Sequence, residues 1–135
     1  MVSMIIIDSN IWIFAENASA NEHTKAAHKI QKIIDTTTFG INVIIISEVF
    51  HILSRLLSTA EASRRVLHII ENPASEWLEF SDDIVKDSIP LAEGKHIRIN
   101  DALIAQQALT LNASLLTDNI KDFKKIKGLK IVKLR

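Results

Sequence analysis

Cysteine is absent from the chain, which excludes a disulfide scaffold, a cysteine-ligated zinc site, an iron–sulfur cluster and a thiol nucleophile together. Any metal must be held by oxygen or imidazole. Glycine (3) and proline (2) are scarce, and with 47% hydrophobic and 24% charged residues the composition excludes collagen-like, linker-rich and disordered classes. Gly40, Gly94 and Gly128 are too far apart to build a G-x-G-x-x-G or Walker A phosphate loop. Long hydrophobic runs are missing as well. The apolar run Met4 to Ile7 stops at Asp8, far short of the ~20 residues of a membrane span, and no basic stretch followed by an apolar one opens the chain. The expectation is a cytoplasmic protein that does not engage a membrane.

An excess of charge of one sign is also lacking: 16 Lys and Arg stand against 16 Asp and Glu, so the balance does not announce a nucleic-acid binder. The distribution is uneven, however. Acids dominate Glu71 to Glu93, whereas Lys121, Lys124, Lys125, Lys127, Lys130, Lys133 and Arg135 face only Asp122 at the C-terminal end. A tail of this kind is most often a solvated face. The 135 residues amount to one domain, 1–135, at ~100 to 200 residues per domain.

The apolar pattern divides the chain into short buried runs and helical stripes. Met4 to Ile7, rich in β-branched residues, predicts a strand buried on both faces. Ala26, Ala27, Ile30, Ile33 and Ile34 lie on one helical face over Thr24 to Asp35, and Gly40 closes the connection that follows. Val43 to Ile46 predicts a second buried strand. A helix capped by Ser47 then carries Val49, Ile52, Leu53, Leu56 and Leu57. A further helix is expected from Ala60 to Ile70, before Pro73, and a short strand from Glu76 to Phe80. Asp83 to Leu91 has helical spacing that Pro90 should kink or end, with Gly94 stopping the remainder. Asn100 is placed to cap a helix carrying Ile104, Ala108 and Leu111, which Asn112 ends; strands follow at Ser114 to Leu116 and Lys130 to Leu134. Alternating strands and helices predict an α/β fold, a three-layer α/β/α sandwich around a parallel sheet.

Acids stand at the ends of these predicted strands. Asp8 follows the first, Glu48 follows Val43 to Ile46 across one serine, and Asp118 follows Ser114 to Leu116 across one threonine. The carboxyl ends of parallel strands share one edge, where residues distant in sequence converge on a crevice, and Asp101 in the first turn of its helix can point there too. Singly, each has a plain structural role: Asp8 caps a helix, while Glu48 and Asp101 complement a helix dipole. Jointly, clustered carboxylates repel unless a cation sits among them, and an all-oxygen donor set suits Mg²⁺ or Mn²⁺.

The runs Ile5-Ile6-Ile7-Asp8-Ser9-Asn10, Ser47-Glu48-Val49, Asn100-Asp101-Ala102-Leu103-Ile104-Ala105 and Leu116-Thr117-Asp118-Asn119 with Asp122-Phe123 resemble the PIN domain family. Size and motif order are similar to those of its VapC-type toxin ribonucleases, over Met4 to about Leu134. The resemblance implies an α/β/α sandwich with an acidic pocket that binds Mg²⁺ or Mn²⁺ to hydrolyse RNA. It also implies a homodimer and a small antitoxin partner. Asp8, Glu48 and Asp101 match the family's three central acids. At the fourth position Asn119 aligns without a gap, Asp118 needs a shift of one residue, and Asp122 matches the later acid. Ser9 and Asn10 match the small polar residues beside the first acid, where they can orient a carboxylate.

The remaining features add less. His23, His28, His51, His68 and His96 lack metal-site spacing; Trp12 and Phe14 read as core; Glu16 reads as a loop residue. Two amphipathic stretches, Glu48 to Leu57 and Ala62 to Ile70, support the expected dimer. The expected function is a metal-dependent endoribonuclease, the toxin of a toxin–antitoxin pair, with Asp8, Glu48, Asp101 and Asp118 as catalytic carboxylates and Asp122 as a further metal ligand. The rivals are a non-catalytic PIN-like binding module that uses Phe50 to Leu57 and Val66 to Ile70, and a receiver-like phospho-acceptor domain. The latter lacks a suitable late-strand lysine and gives Glu48 no role.

Overall fold

A computed structural model describes residues 4–135. In chain order the elements are β1 (Ile5–Ile7), α1 (Ser9–Glu16), α2 (His23–Thr36), β2 (Phe39–Ile41), α3 (Val43–Leu56), α4 (Thr59–Glu71), β3 (Ser75–Trp77), α5 (Asp82–Lys95), α6 (Ile99–Leu111), β4 (Ser114–Thr117), α7 (Ile120–Phe123) and β5 (Lys130–Lys133). The strands form one parallel sheet of order β3-β2-β1-β4-β5. From β1 the chain steps outward to β2 and β3, then returns across the sheet to β4 and β5. With right-handed crossovers that reversal puts α1 to α4 on one face and α5 to α7 on the other, the expected α/β/α sandwich. The switch point therefore lies between β1 and β4, where a crevice opens beyond the strands' carboxyl ends.

Ile6, Ile7, Leu115 and Leu116 on these two central strands are fully buried. They pack with Phe39, Ile41, Ile45, Leu53 and Ile104 in one continuous core, and Trp12 meets Phe39 edge-on at 5.1 Å between ring centroids.

Three expectations need correction. Val43 to Ile46 is not a strand but the first turn of α3, and the second strand is Phe39–Ile41, with Gly40 inside it rather than closing a connection. A short apolar run has no period of its own, so the cap decides: Asn42 Oδ1 accepts from the Ile45 N–H at 2.9 Å, starting the helix five residues before Ser47. Its buried stripe is then Ile45, Val49 and Leu53, at intervals of four. A Cβ at Gly40 would stand 2.6 Å from Leu78 Cδ1 and 2.9 Å from Met4 Sδ, so the ends of those two flexible side chains would have to shift to admit one.

Pro90 and Gly94 do not end α5, which runs to Lys95. Pro90 and Lys86, four residues earlier, are both exposed, so Pro90 lies on the solvent side of the helix, where the lost backbone hydrogen bond is cheapest. The stop comes at His96, in the left-handed region at φ 54°, whose N–H and that of Ile97 close on the Ala92 carbonyl. Nor is Asn100 a cap: α6 begins at Ile99 with Arg98 in the cap position, and Asn112 ends it as expected, at φ 53°. Asn42 and Gln107 form a buried clamp across this edge. Gln107 Oε1 accepts from Asn42 at 2.7 Å, and Gln107 Nε2 donates to the Glu79 carbonyl at 2.9 Å.

Candidate functional site

Asp8 is the buried centre of the site. It follows β1 directly and occupies the cap position of α1, so its Oδ1 accepts from the Ser9 N–H at 2.8 Å. Its Oδ2 accepts from Thr117 Oγ1 at 2.7 Å and, more weakly, from Asn10 Nδ2 at 3.4 Å. The cap role and the site role coincide because the helix starts where the strand delivers the acid. Burial holds this carboxyl up at about 6 against an ordinary 3.8. Asp101 and Glu48 add repulsion, while the Thr117 and Ser9 hydrogen bonds act in the opposite direction.

Glu48 does not sit at a strand end. It lies in the second turn of α3, and the helix rather than the sheet aims it inward. Ser9 Oγ donates to its Oε1 at 2.9 Å and Asn100 Nδ2 approaches its Oε2 at 3.5 Å. Asp101, in the first turn of α6, is buried. Arg98 joins the two acids: its Nη2 lies 3.3 Å from Glu48 Oε2 and 3.3 Å from Asp101 Oδ1, and its Nε lies 3.4 Å from Asp101 Oδ2. Asp101 first, then Glu48, push the Arg98 pKa further upward, so it is a permanent cation.

The fourth position is arranged differently. Asp118 stands just past β4, and its N–H donates to Asn10 Oδ1 at 3.2 Å, which ties its backbone to the site. Its carboxylate, however, is held by Arg135, at 2.7 Å to Nη2 and 3.3 Å to Nε, and Arg135 also reaches Glu22. Asp122 accepts from Asn119 Nδ2 at 3.2 Å and pairs with Lys125 Nζ at 3.5 Å. The structure thus gathers Asp8, Glu48 and Asp101, with Ser9, Asn10 and Thr117 between them, and holds the Asp118 and Asp122 carboxylates on other partners.

Sequence reasoning missed two contributors. Thr117 was only the spacer before Asp118, although a hydroxyl one residue past a buried run is a visible signal. Arg98 had no assigned role, although it precedes Asp101 by three residues, a helical neighbour spacing. Beside the acids a cavity of about 290 Å³ is lined by Ser9, Ile13, Glu48, His51, Ile52 and Arg98. Of the expected core residues, Trp12 is buried and Phe14 half-buried.

Among the described residues no three His, Asp or Glu side chains stand close enough to enclose an ion in these rotamers. The Arg98 guanidinium fills the interval between Glu48 and Asp101. The chemistry of the donor set nevertheless fits a hard divalent cation: every donor is oxygen, and Asp8 is a desolvated carboxyl without a cationic partner among the described residues.

The fold resembles that of VapBC2 from Rickettsia felis bound to a DNA fragment from their promoter, with a TM-score of 0.75 and 24% identity over 96% of this chain and 98% of that one. It resembles VapC20 of Mycobacterium tuberculosis, a sarcin–ricin-loop-cleaving toxin, with a TM-score of 0.74 and 11% identity over 87% and 92% of the two chains. A third similar structure is VapBC-1 of nontypeable Haemophilus influenzae, with a TM-score of 0.71 and 20% identity over 97% and 98%. Comparison with curated proteins returns no sequence match. The PIN domain family profile matches residues 5–129. Because that match takes in every element from β1 to the turn before β5, the chain belongs to the PIN domain family.

Proposed function

We propose that this PIN domain is a metal-dependent endoribonuclease, with Asp8, Glu48 and Asp101 holding Mg²⁺ or Mn²⁺. The observation that carries the reading is Asp8: a carboxyl buried at the β1/β4 switch point, facing two further acids, and raised to about 6 by its burial and, to a smaller degree, by those acids. A divalent ion held there would supply Lewis acidity for activating a water and for offsetting charge on the leaving oxygen of a phosphodiester. Thr117, Ser9 and Asn10 orient the carboxylates, and Glu48, the more open acid beside the cavity, accepts the proton of the attacking water. Asp118 would be a fourth ligand once released from Arg135, and Asp122 would support the site from further out. With water rather than the ribose 2′-hydroxyl as nucleophile, the products carry 5′-phosphate and 3′-hydroxyl ends.

The toxin role and the antitoxin partner are carried over from structures of the same fold, a sarcin–ricin-loop-cleaving toxin and a toxin–antitoxin complex, and cytoplasmic action remains our reading of the sequence. No helix among the described residues is long and apolar enough to cross a membrane. Phe50, Leu56, Leu57 and Leu67 remain exposed on α3 and α4 while Val66 and Ile69 go into the core, so the surface offered to a second copy or an antitoxin is narrower than the sequence stripe. The exposed Lys121, Lys124, Lys127 and Lys133 give an RNA backbone a cationic approach.

The test is cleavage of a structured RNA with Mn²⁺, with excess EDTA, and with Asp8→Asn, reading end groups. Loss with EDTA and in the variant supports the reading. Full activity in EDTA, or 2′,3′-cyclic phosphate ends, overturns it. No cleavage of any RNA, with partner binding intact, favours the non-catalytic binding module that the exposed α3–α4 apolar groups would serve.

A further inference from the structure

We propose that Arg98 is a tethered counter-cation of the acidic pocket: in the metal-free protein it holds Glu48 and Asp101 together, and the divalent ion must displace it to bind them. The proposal rests on the reading of the pocket as a metal site and assigns that site an internal competitor.

One guanidinium spans carboxylates that reach it from two helices, Glu48 on α3 and Asp101 on α6. The side chains differ sharply in exposure: 68% for Arg98, against 19% for Glu48 and 6% for Asp101. The acids are therefore the buried partners, Glu48 held as well by Ser9 and Asn100, while the arginine approaches from solvent and has open space on the cavity side to leave. Its contacts, 3.3 to 3.4 Å, are longer than the ~2.7 to 2.9 Å of strong charge-assisted bonds, so the hold is loose. A guanidinium does not lose its proton at any working pH, so only movement can remove the competition. Among the described residues Asp8 has no cation of its own, which leaves the pocket only partly neutralised by Arg98 and still attractive to a doubly charged ion.

Arg98 also occupies the cap position of α6 without a side-chain capping bond. Helix capping therefore does not explain the direction of its side chain. Replacing it removes charge from the pocket and leaves the buried face of α6, Asp101, Ala102, Ile104, Ala105 and Ala108, intact.

The experiment is a titration of Mn²⁺ into the purified chain, with free ion counted by its electron paramagnetic resonance signal, for wild type, Arg98→Gln, Arg98→Lys and Asp8→Asn. Partly exposed pairs each hold by a few-fold, so Arg98→Gln should bind Mn²⁺ about three- to tenfold more tightly, with Arg98→Lys between it and wild type. With diamagnetic Mg²⁺, the Arg98 Nε–H resonance of wild type should shift in step with occupancy. Equal or weaker Mn²⁺ affinity in Arg98→Gln, with its circular dichroism unchanged, overturns the proposal, as does an Arg98 resonance that ignores Mg²⁺. Should Arg98→Gln be misfolded, Arg98→Lys and the resonance decide alone. Absence of saturable binding in every chain, or Asp8→Asn binding as well as wild type, overturns instead the metal reading on which the proposal rests.

Discussion

Thr117 Oγ1 donates a 2.7 Å hydrogen bond to Asp8 Oδ2, joining the carboxyl ends of β4 and β1 across 109 residues of sequence. The same oxygen accepts from the Asn119 N–H at 3.0 Å, so one hydroxyl orients the central acid and the loop after β4 together. It also accepts weakly from Asn10 Nδ2 at 3.4 Å, and Thr117→Val keeps the shape while removing all three bonds. The variant should lose about 1 to 3 kcal/mol of stability at pH 8, where Asp8 is a buried anion, and less at pH 5, where it holds a proton. Denaturant unfolding at the two pH values measures this.

Asp8→Asn should stabilise the metal-free protein. Because the folded carboxyl sits at about 6 against an ordinary 3.8, the native state binds the proton more tightly than the unfolded chain. Stability therefore falls as pH rises between about 4 and 6 and levels off above that window. The whole step is worth about 3 kcal/mol. Unfolding in EDTA should show Asp8→Asn more stable than wild type at pH 7.5 by about 1 to 3 kcal/mol, the margin closing near pH 4. A margin independent of pH would assign the penalty to another group.

Glu48→Gln and Asp101→Asn should each lower RNA cleavage by about a hundredfold or more while the melting temperature stays within a few degrees. Each also releases a hold on Arg98, through contacts of 3.3 to 3.4 Å to a solvent-exposed guanidinium that are worth little. Single-turnover cleavage beside thermal melts separates a lost ligand from a lost fold.

Asp118→Asn should weaken Mn²⁺ binding more than Asp122→Asn. The Asp118 backbone is tied to Asn10 at the site, and Arg135, its carboxylate's partner, is 53% exposed and free to move. Asp122 is held between Asn119 and Lys125. Paired Mn²⁺ titrations check the order, and the reverse order would put the fourth ligand at Asp122.

Asn42→Ala should cost about 2 to 4 kcal/mol, since it removes the α3 cap and leaves the buried Gln107 Oε1 without its donor. Chemical denaturation measures the loss. Because α3 carries Glu48, Mn²⁺ affinity should fall with it.

Much of the molecule is legible along the chain because its signals are local. The β-branched run before Asp8, the stripe of α2, the left-handed Asn112 and the strand before Thr117 need only near neighbours to take shape. That the acids converge on one crevice was readable from strand-end logic for Asp8, and from the helix first turn for Asp101. At Glu48 that logic does not hold: Val43 to Ile46 is helical, and the acid reaches Ser9 and Arg98 from the second turn of α3.

The sequence by itself determined the fold class, the parallel sheet and an all-oxygen set of candidate ligands, because period, capping and the absence of cysteine are properties of the chain alone. Only the tertiary structure decided which partner each charged group takes. Arg98 could meet Asp101 from helical spacing, yet its contact with Glu48 exists only because α3 and α6 converge at the sheet edge. Asp118 left the acidic cluster for Arg135 because the β4–β5 pairing carries the end of the chain back beside it. Electrostatic pairing depends on distance in space and on burial, and neither is written in the order of the residues.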